Sequence, residues 1–97
     1  MRVLVTGGLG YLGGRLALYL ALKHNIEICL GSRKEAKPPI WMPHAKMAQT
    51  RWDSVFELEQ ICKNIDAVIH LSGMNAQDCA SDPVAALEIN GMATCRL

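Results

Sequence analysis

A glycine-rich segment directly after a short apolar run constrains this chain more than any other feature. The run Arg2–Thr6 reads RVLVT, and residues 6–13 read TGGLGYLG. A short β-branched and apolar run favours a buried strand, and the glycines end it. Tyr11–His24 then carries apolar residues at three- and four-residue spacing, which is typical of a helix. The segment therefore predicts a strand, a tight turn and a helix in immediate succession.

The spacing of these glycines is typical of a turn that holds phosphate. Residues 7–13 match both G-x-G-x-x-G and G-x-x-G-x-x-G. Glycine permits the tight turn, the close approach of backbone to a pyrophosphate, and close packing of helix on strand. N–H groups near Tyr11 and Leu12, at the helix start, then face the negative charge. The strand–turn–helix context predicts a dinucleotide-binding unit, with a glycine turn that binds nothing as the alternative.

The rest of the chain alternates strands with helices. Further strands are predicted at residues 26–30, 45–49 and 67–71, with a proline-containing loop at 31–43. The S-x-x-E pattern at Ser54 predicts a helix from there to about Lys63. The Asp82–Pro83 pair predicts an N-cap and first helical residue, with a helix toward Leu97. Asn25 is the predicted stop of the first helix.

This alternation predicts an α/β fold: a partial Rossmann fold in one domain, residues 1–97. A parallel sheet of about four strands in the order 3-2-1-4, with helices on both faces, follows from right-handed crossovers. Ligands bind outside the carboxyl ends of such strands, at the switch point between strands 1 and 4. Strand 4 would be an exposed apolar edge. We therefore expect this chain to be the truncated, N-terminal part of a longer protein and to be marginally stable by itself.

The composition of the chain limits the classes of partner that it is expected to bind. The net charge of the 97 residues is +1, and no basic run exceeds two residues, so neither nucleic acid nor a membrane surface is expected. No targeting or membrane-spanning segment is predicted. The four cysteines form no C-x-x-C pair. They are interpreted as reduced thiols of a cytoplasmic protein, with a zinc site as the alternative.

Three segments resemble, in order, those of a known family. Residues 6–13 resemble the T-G-x-x-G-x-x-G fingerprint of extended short-chain dehydrogenases/reductases, the NAD-dependent epimerase/dehydratase family, which acts largely on nucleotide sugars. Residues 68–73, VIHLSG, resemble that family's fourth strand. Asp82–Pro83 followed by residues 90–94, NGMAT, resembles its D-P…N-V-x-G-T segment. The resemblance covers essentially the whole chain.

The resemblance implies a cofactor site made of residues from the turn, the fourth strand and the last helix. The implied pyrophosphate contacts are Gly7, Gly10, Tyr11 and Leu12, and the implied ribose and nicotinamide contacts are Leu71, Ser72, Gly73 and Asn90. A purely structural role of the Asn90 side chain in the helix is the alternative. The resemblance also implies a dinucleotide cofactor. In a full-length protein it implies a nucleotide-sugar substrate and a possible homodimer.

The residues after the second strand favour NADP over NAD. An acidic residue there would bind the ribose hydroxyls of NAD, but residues 31–34 read GSRK. Ser32 could hydrogen-bond a 2′-phosphate, and Arg33 could pair with it through its planar guanidinium. The alternative is that Arg33 is a solvated loop residue.

The end of the third strand departs from the family. Relatives usually place an aspartate there, followed by an aliphatic residue, whereas this chain has Arg51 and Trp52, with Asp53 next. Asp53 could substitute for the aspartate, or the adenine contact could be lost. Trp52 could pack on the adenine or belong to the core.

The family's chemistry uses a Tyr-x-x-x-Lys pair, which the family places well beyond residue 97. Tyr19 and Lys23 match the spacing but lie in the first predicted helix, where a structural role is expected. We therefore expect the NAD(P)-binding part of an epimerase, dehydratase or reductase, inactive by itself. A non-catalytic dinucleotide-binding or sensing module and an inactive fragment are the alternatives.

Overall fold

Four strands form one parallel sheet in a computed structural model that describes residues 1–24 and 26–97. The strands are β1 (Arg2–Thr6), β2 (Glu27–Ser32), β3 (Lys46–Gln49) and β4 (Ala67–His70). Their order is β3-β2-β1-β4, so the predicted order 3-2-1-4 is confirmed. Val3 on the central strand pairs with Ile28 on one side and with Ala67 on the other. The predicted helix stop at Asn25 lies outside the described residues.

Two of the helices begin at the capping residues that the sequence predicts, Ser54 and Asp82. The helices are α1 (Tyr11–His24), α2 (Val55–Cys62), α3 (Ala76–Ser81), α4 (Pro83–Leu87) and α5 (Ala93–Arg96), with a π-helical segment (Glu88–Met92) joining the last two. Ser54 Oγ accepts a hydrogen bond from the N–H of Glu57, as the capping pattern predicts. Asp82 Oδ1 likewise caps α4. No helix among the described residues is long and apolar enough to cross a membrane.

Alternate residues of β1 face opposite layers of the molecule. Val3 and Val5 are buried in a cluster with Ala17 of α1 and Leu30 of β2. On the other face, Trp52, Leu58 and Ala93 form a second buried cluster between α2 and α5. Both faces of the sheet are therefore covered, as expected for a parallel sheet.

Two local predictions differ from the structure. The predicted loop at 31–43 begins later, because β2 runs on through Gly31 and Ser32, and Ser32 pairs with Gln49. A Cβ at Gly31 would lie 3.2 Å from the Cα of Thr6, so glycine allows the neighbouring strand to approach here. Helix α3 was not predicted, and it follows Asn75, whose Oδ1 accepts from the N–H of Asp78.

Candidate dinucleotide-binding site

A groove of about 660 Å³ lies at the carboxyl ends of β1, β2 and β4, and we call it the carboxyl-end groove. Its lining includes many of the predicted site residues: Gly7, Gly10, Ser32, Arg33, Leu71, Ser72 and Gly73. The other residues that line it are Leu9, Gly31, Trp52, Met74, Asp78, Ala85 and Ile89. The fold therefore brings three separate segments of the sequence to the crevice where open α/β sheets bind ligands.

The glycine turn is packed closely against itself and left open toward the groove. Gly7 has a φ of 67°, which is the left-handed region that favours glycine. A Cβ on Gly13 would lie 2.2 Å from the carbonyl oxygen of Gly7, so no side chain fits there. A Cβ on Gly10 would meet only that same oxygen, at 3.2 Å. The turn thus leaves room beside Gly10, and this open cradle fits a pyrophosphate.

Tyr11 and Leu12 begin α1, but their side chains do not line the groove. They are 79% and 62% exposed. The guanidinium of Arg15 lies 4.4 Å from the centre of the Tyr11 ring, a cation–π contact on the helix surface. Backbone N–H groups in the first turn of a helix have no acceptor within the helix. The predicted contribution of Tyr11 and Leu12 to a phosphate is therefore through the backbone.

The hydroxyl of Thr6 ties the end of β1 to the far wall of the groove. Thr6 is fully buried, and its Oγ1 accepts hydrogen bonds from the N–H groups of Leu71 (3.0 Å) and Ser72 (3.3 Å). The same oxygen lies 2.7 Å from Nδ1 of His70. Because the oxygen already accepts two hydrogen bonds, we assign its proton as donated to Nδ1.

His70 extends this chain of hydrogen bonds to the last helix. With Nδ1 accepting, Nε2 carries the ring proton and donates to Oγ1 of Thr94 at 3.0 Å. That hydroxyl lies 3.4 Å from the carbonyl oxygen of Asn90, to which it donates. Burial lowers the pKa of His70, which favours the neutral ring that this arrangement requires. The carboxyl ends of β1 and β4 are thereby held against α5.

Asn90 does not line the groove but holds one of its loops. Its Oδ1 accepts from the N–H of Met74 at 2.7 Å, and its Nδ2 donates to the Met74 carbonyl at 3.2 Å. Gly73 approaches so closely that a Cβ there would lie 3.2 Å from Oδ1 of Asn90. The amide therefore fixes the segment that follows Ser72. This arrangement corresponds to the alternative, structural role of Asn90.

The residues after β3 divide between core and surface. Trp52 is 6% exposed and belongs to the core, yet one part of it lines the groove. Its ring centroid lies 5.3 Å from that of His70. Within residues 1–24 and 26–97, its Nε1 is buried without a hydrogen-bond partner. Asp53 is exposed and does not line the groove.

Sequence reasoning missed the part of the groove that comes from α3 and α4. Asp78 of α3 and Ala85 of α4 line it, together with Ile89 of the π-helical segment, because these elements fold back over the end of the sheet. The signal was present, since Asn75 is a favourable N-cap residue three positions before Asp78. Tyr19 and Lys23 lie on α1 and do not line the groove.

The cysteines are free thiols. Burial raises the pKa of Cys29 and of Cys62, which keeps both thiols protonated. No group of three His, Cys, Asp or Glu side chains that could hold a metal ion occurs in the part of the chain that the structure describes.

The family model described as the NAD dependent epimerase/dehydratase family matches residues 3–97, almost all of the chain. The chain belongs to this family. Its fold is that of solved Rossmann-type enzymes. One is the UDP-glucose 4-epimerase of Thermus thermophilus, in complex with NAD, with a TM-score of 0.83 and 23% identity over 100% of this chain and 32% of that chain.

Two further neighbours of this epimerase/dehydratase chain are dehydrogenases. The L-threonine dehydrogenase of Clostridium difficile has a TM-score of 0.84 and 21% identity over 98% of this chain and 31% of its own. The uronate dehydrogenase of Agrobacterium tumefaciens has a TM-score of 0.77 and 23% identity over 99% and 34%. No curated protein sequence matches the chain. This chain spans about a third of the length of these enzymes. Its membership of the family supports binding of a nicotinamide dinucleotide.

Proposed function

We propose that this chain is the NAD(P)-binding, N-terminal part of an epimerase, dehydratase or reductase that acts on a nucleotide sugar. The observation that carries the proposal is the carboxyl-end groove, which gathers the glycine turn, the Ser32–Arg33 pair and the wall around Ser72. A bound nicotinamide would supply the hydride donor or acceptor. The chain's own residues would bind and orient the cofactor.

Each part of the groove has a role in this proposal. The turn around Gly7 and Gly10, with the N–H groups at the start of α1, would hold the pyrophosphate. Leu71, Ser72 and Gly73 would form the wall on the ribose and nicotinamide side. In this proposal the described groove residues bind and orient the cofactor, and none of them is assigned the acid/base step.

We further propose that the cofactor is NADP. Ser32 and Arg33 both line the groove at the end of β2, where a ribose hydroxyl or its phosphate would lie. A hydroxyl and a guanidinium are donors, which suit a phosphate, whereas the ribose hydroxyls of NAD favour a carboxylate. Binding of NAD at least as tight as that of NADP would contradict this assignment.

Calorimetric titration of the chain with NADP and with NAD tests the proposal. We expect saturable binding, tighter for NADP, and an upward shift of the melting temperature with added cofactor. Gly10→Ala should weaken binding by about 10-fold or more, because its methyl group enters the space left for the pyrophosphate. That methyl group would also lie 3.2 Å from the carbonyl oxygen of Gly7, so the variant should be less stable without cofactor, and its affinity is measured at a temperature at which its circular dichroism shows it folded. Absence of binding by either dinucleotide would refute the proposal.

The groove also suits a second candidate, a module that binds dinucleotide without chemistry, because binding the cofactor needs only the glycine turn and the walls that the described residues form. The complete reading frame separates the two. A Tyr-x-x-x-Lys pair about 30–60 residues downstream, where a fifth strand of the doubly wound sheet would end, supports the enzyme. A complete frame without the pair supports the module. An inactive fragment would show no cooperative thermal transition with or without NADP.

A further inference from the structure

A second cavity lies beside the carboxyl-end groove, at the ends of β2 and β3. We call it the basic cleft, and its volume is about 470 Å³. It is lined by Lys34, Glu35, Ala36, Met47, Ala48, Gln49 and Arg51. Lys34 and Arg51 are cations, and Glu35 is the one carboxylate in the lining that the described residues form. Arg33 lies next along the chain and lines the neighbouring groove.

Gln49 links the two sides of the basic cleft. Its Oε1 accepts a hydrogen bond from Nη2 of Arg51 at 3.3 Å. Its Nε2 donates to the backbone carbonyl of Arg33 at 3.2 Å. The backbone adds a third tie, because the N–H of Thr50 donates to the carbonyl of Ser32 at 2.8 Å. Two hydrogen bonds in series therefore connect the guanidinium of Arg51 to the segment proposed to hold the ribose.

We propose that Arg51 is a second ligand of the ribose 2′-phosphate and so determines specificity for NADP. This inference rests on the proposed function of the carboxyl-end groove. A phosphate monoester carries nearly two negative charges at neutral pH and accepts several hydrogen bonds, so it is best held by more than one donor. Arg33 after β2 and Arg51 after β3 supply two guanidinium groups from two loops.

Arg51 retains donors for this role after its bond to Gln49. A guanidinium has five N–H groups, and the bond to Gln49 occupies one nitrogen. The side chain is exposed, which leaves it free to meet a phosphate from solution. In this proposal Gln49 is a positioning residue, because its side chain bonds both to Arg51 and to the backbone carbonyl of Arg33.

Two pairs of probes isolate the 2′-phosphate. Adenosine 2′,5′-bisphosphate differs from AMP only in that group, as NADP differs from NAD. For the unaltered chain we expect the 2′-phosphorylated member of each pair to bind more tightly. Arg51→Gln should lower that preference by about 10-fold, which corresponds to about 1.4 kcal/mol, and leave AMP affinity unchanged. Arg51→Lys keeps the charge but not the planar guanidinium, so it should lower that preference less than Arg51→Gln does.

The remaining variants separate positioning from charge. Gln49→Met removes both hydrogen bonds at similar length and should reduce the preference less than Arg51→Gln does. Lys23→Ala removes the same charge at the far end of α1, away from the carboxyl ends of the strands, and should leave all affinities unchanged. Raising the salt concentration should weaken the bisphosphate more than AMP.

The outcomes that overturn this inference differ from those that overturn the proposed function. If NAD and AMP bind but the 2′-phosphate adds nothing, Arg51 has no such role and the proposed dinucleotide site stands. If Arg51→Gln weakens AMP and the bisphosphate equally, Arg51 acts on the adenine or on the fold. If neither dinucleotide binds, the proposed function fails and the inference falls with it.

Discussion

The glycines of this chain have different surroundings, so adding a methyl group should change the stability of the fold differently at each position. Gly13 is closed off by the backbone of Gly7, at 2.2 Å from the position of a Cβ. A Cβ on Gly91 would meet only the tip of Leu87, at 3.6 Å, which is ordinary contact. Glycines that match a motif and a glycine that lies in a helix therefore differ in their steric role.

Gly13→Ala should destabilise the chain by about 3 kcal/mol, because a backbone carbonyl cannot move aside as a side chain can. Gly91→Ala is the matched control. It should stabilise the π-helical segment between α4 and α5 by about 0.5–1 kcal/mol, since alanine loses less backbone entropy than glycine. Urea unfolding followed by circular dichroism measures both. Equal effects at the two positions would show that the close approach to Gly7 does not limit the turn.

At the scale of elements, short polar links decide where helices and strands meet. The predicted capping box at Ser54 is only half formed: Ser54 Oγ accepts from Glu57, while the N–H of Ser54 donates to the carbonyl of Arg51. The pattern predicted the start of α2 correctly because one capping bond suffices. The N-cap at Asn75 is the same kind of signal, but Asp78 stands at the third position after it, where a capping box has a glutamate or glutamine, so the pattern does not predict α3.

His70 should make stability depend on pH. Its pKa is lowered by burial from the ordinary 6.5, so the unfolded chain binds a proton that the folded chain does not. The free energy of unfolding should therefore fall as the pH drops through 6.5, and this contribution should level off below the folded pKa. A protonated ring would carry a proton on Nδ1 as well. That proton would face the proton of the Thr6 hydroxyl, which donates to Nδ1 of the neutral ring.

Unfolding curves between about pH 7 and pH 5 measure this effect. His70→Gln should flatten the dependence, and His44→Gln, at an exposed position in the segment before β3, should leave it as it is. An unchanged slope in His70→Gln would mean that other groups cause the pH dependence.

At the scale of the whole molecule, β4 is the last strand of the sheet, and among the described residues it pairs only with β1. Val68 on this strand is 39% exposed. An apolar strand with one free edge favours pairing with a second copy. A charged side chain on such an edge opposes that pairing.

Val68→Lys should therefore lower light scattering on concentration or heating. Val84→Lys makes the same change on α4, at a residue that is 80% exposed, and should have less effect. A larger effect of Val84→Lys would instead place self-association at the last helices, which also expose Leu87 and Met92.

The sequence by itself determined the strand–turn–helix start, the strand order and the family. These depend on local patterns: glycine spacing fixes where backbone must approach backbone, apolar runs fix the buried strands, and right-handed crossovers restrict their order. The helix starts at Ser54 and Asp82 are likewise determined by local sequence, because a capping side chain bonds to N–H groups of the first turn of its own helix.

Only the tertiary structure decided which residues share the groove and what they do there. Asn90 bonds to the backbone of Met74, which is 16 positions away in the sequence. Gln49 joins Arg51 to the carbonyl of Arg33, which is 16 positions before Gln49. No local pattern carries such information, because the partners become neighbours only when the carboxyl ends of parallel strands meet at one edge of the sheet. The glycine turn predicts a phosphate, and the folded strand ends assemble the rest of its site.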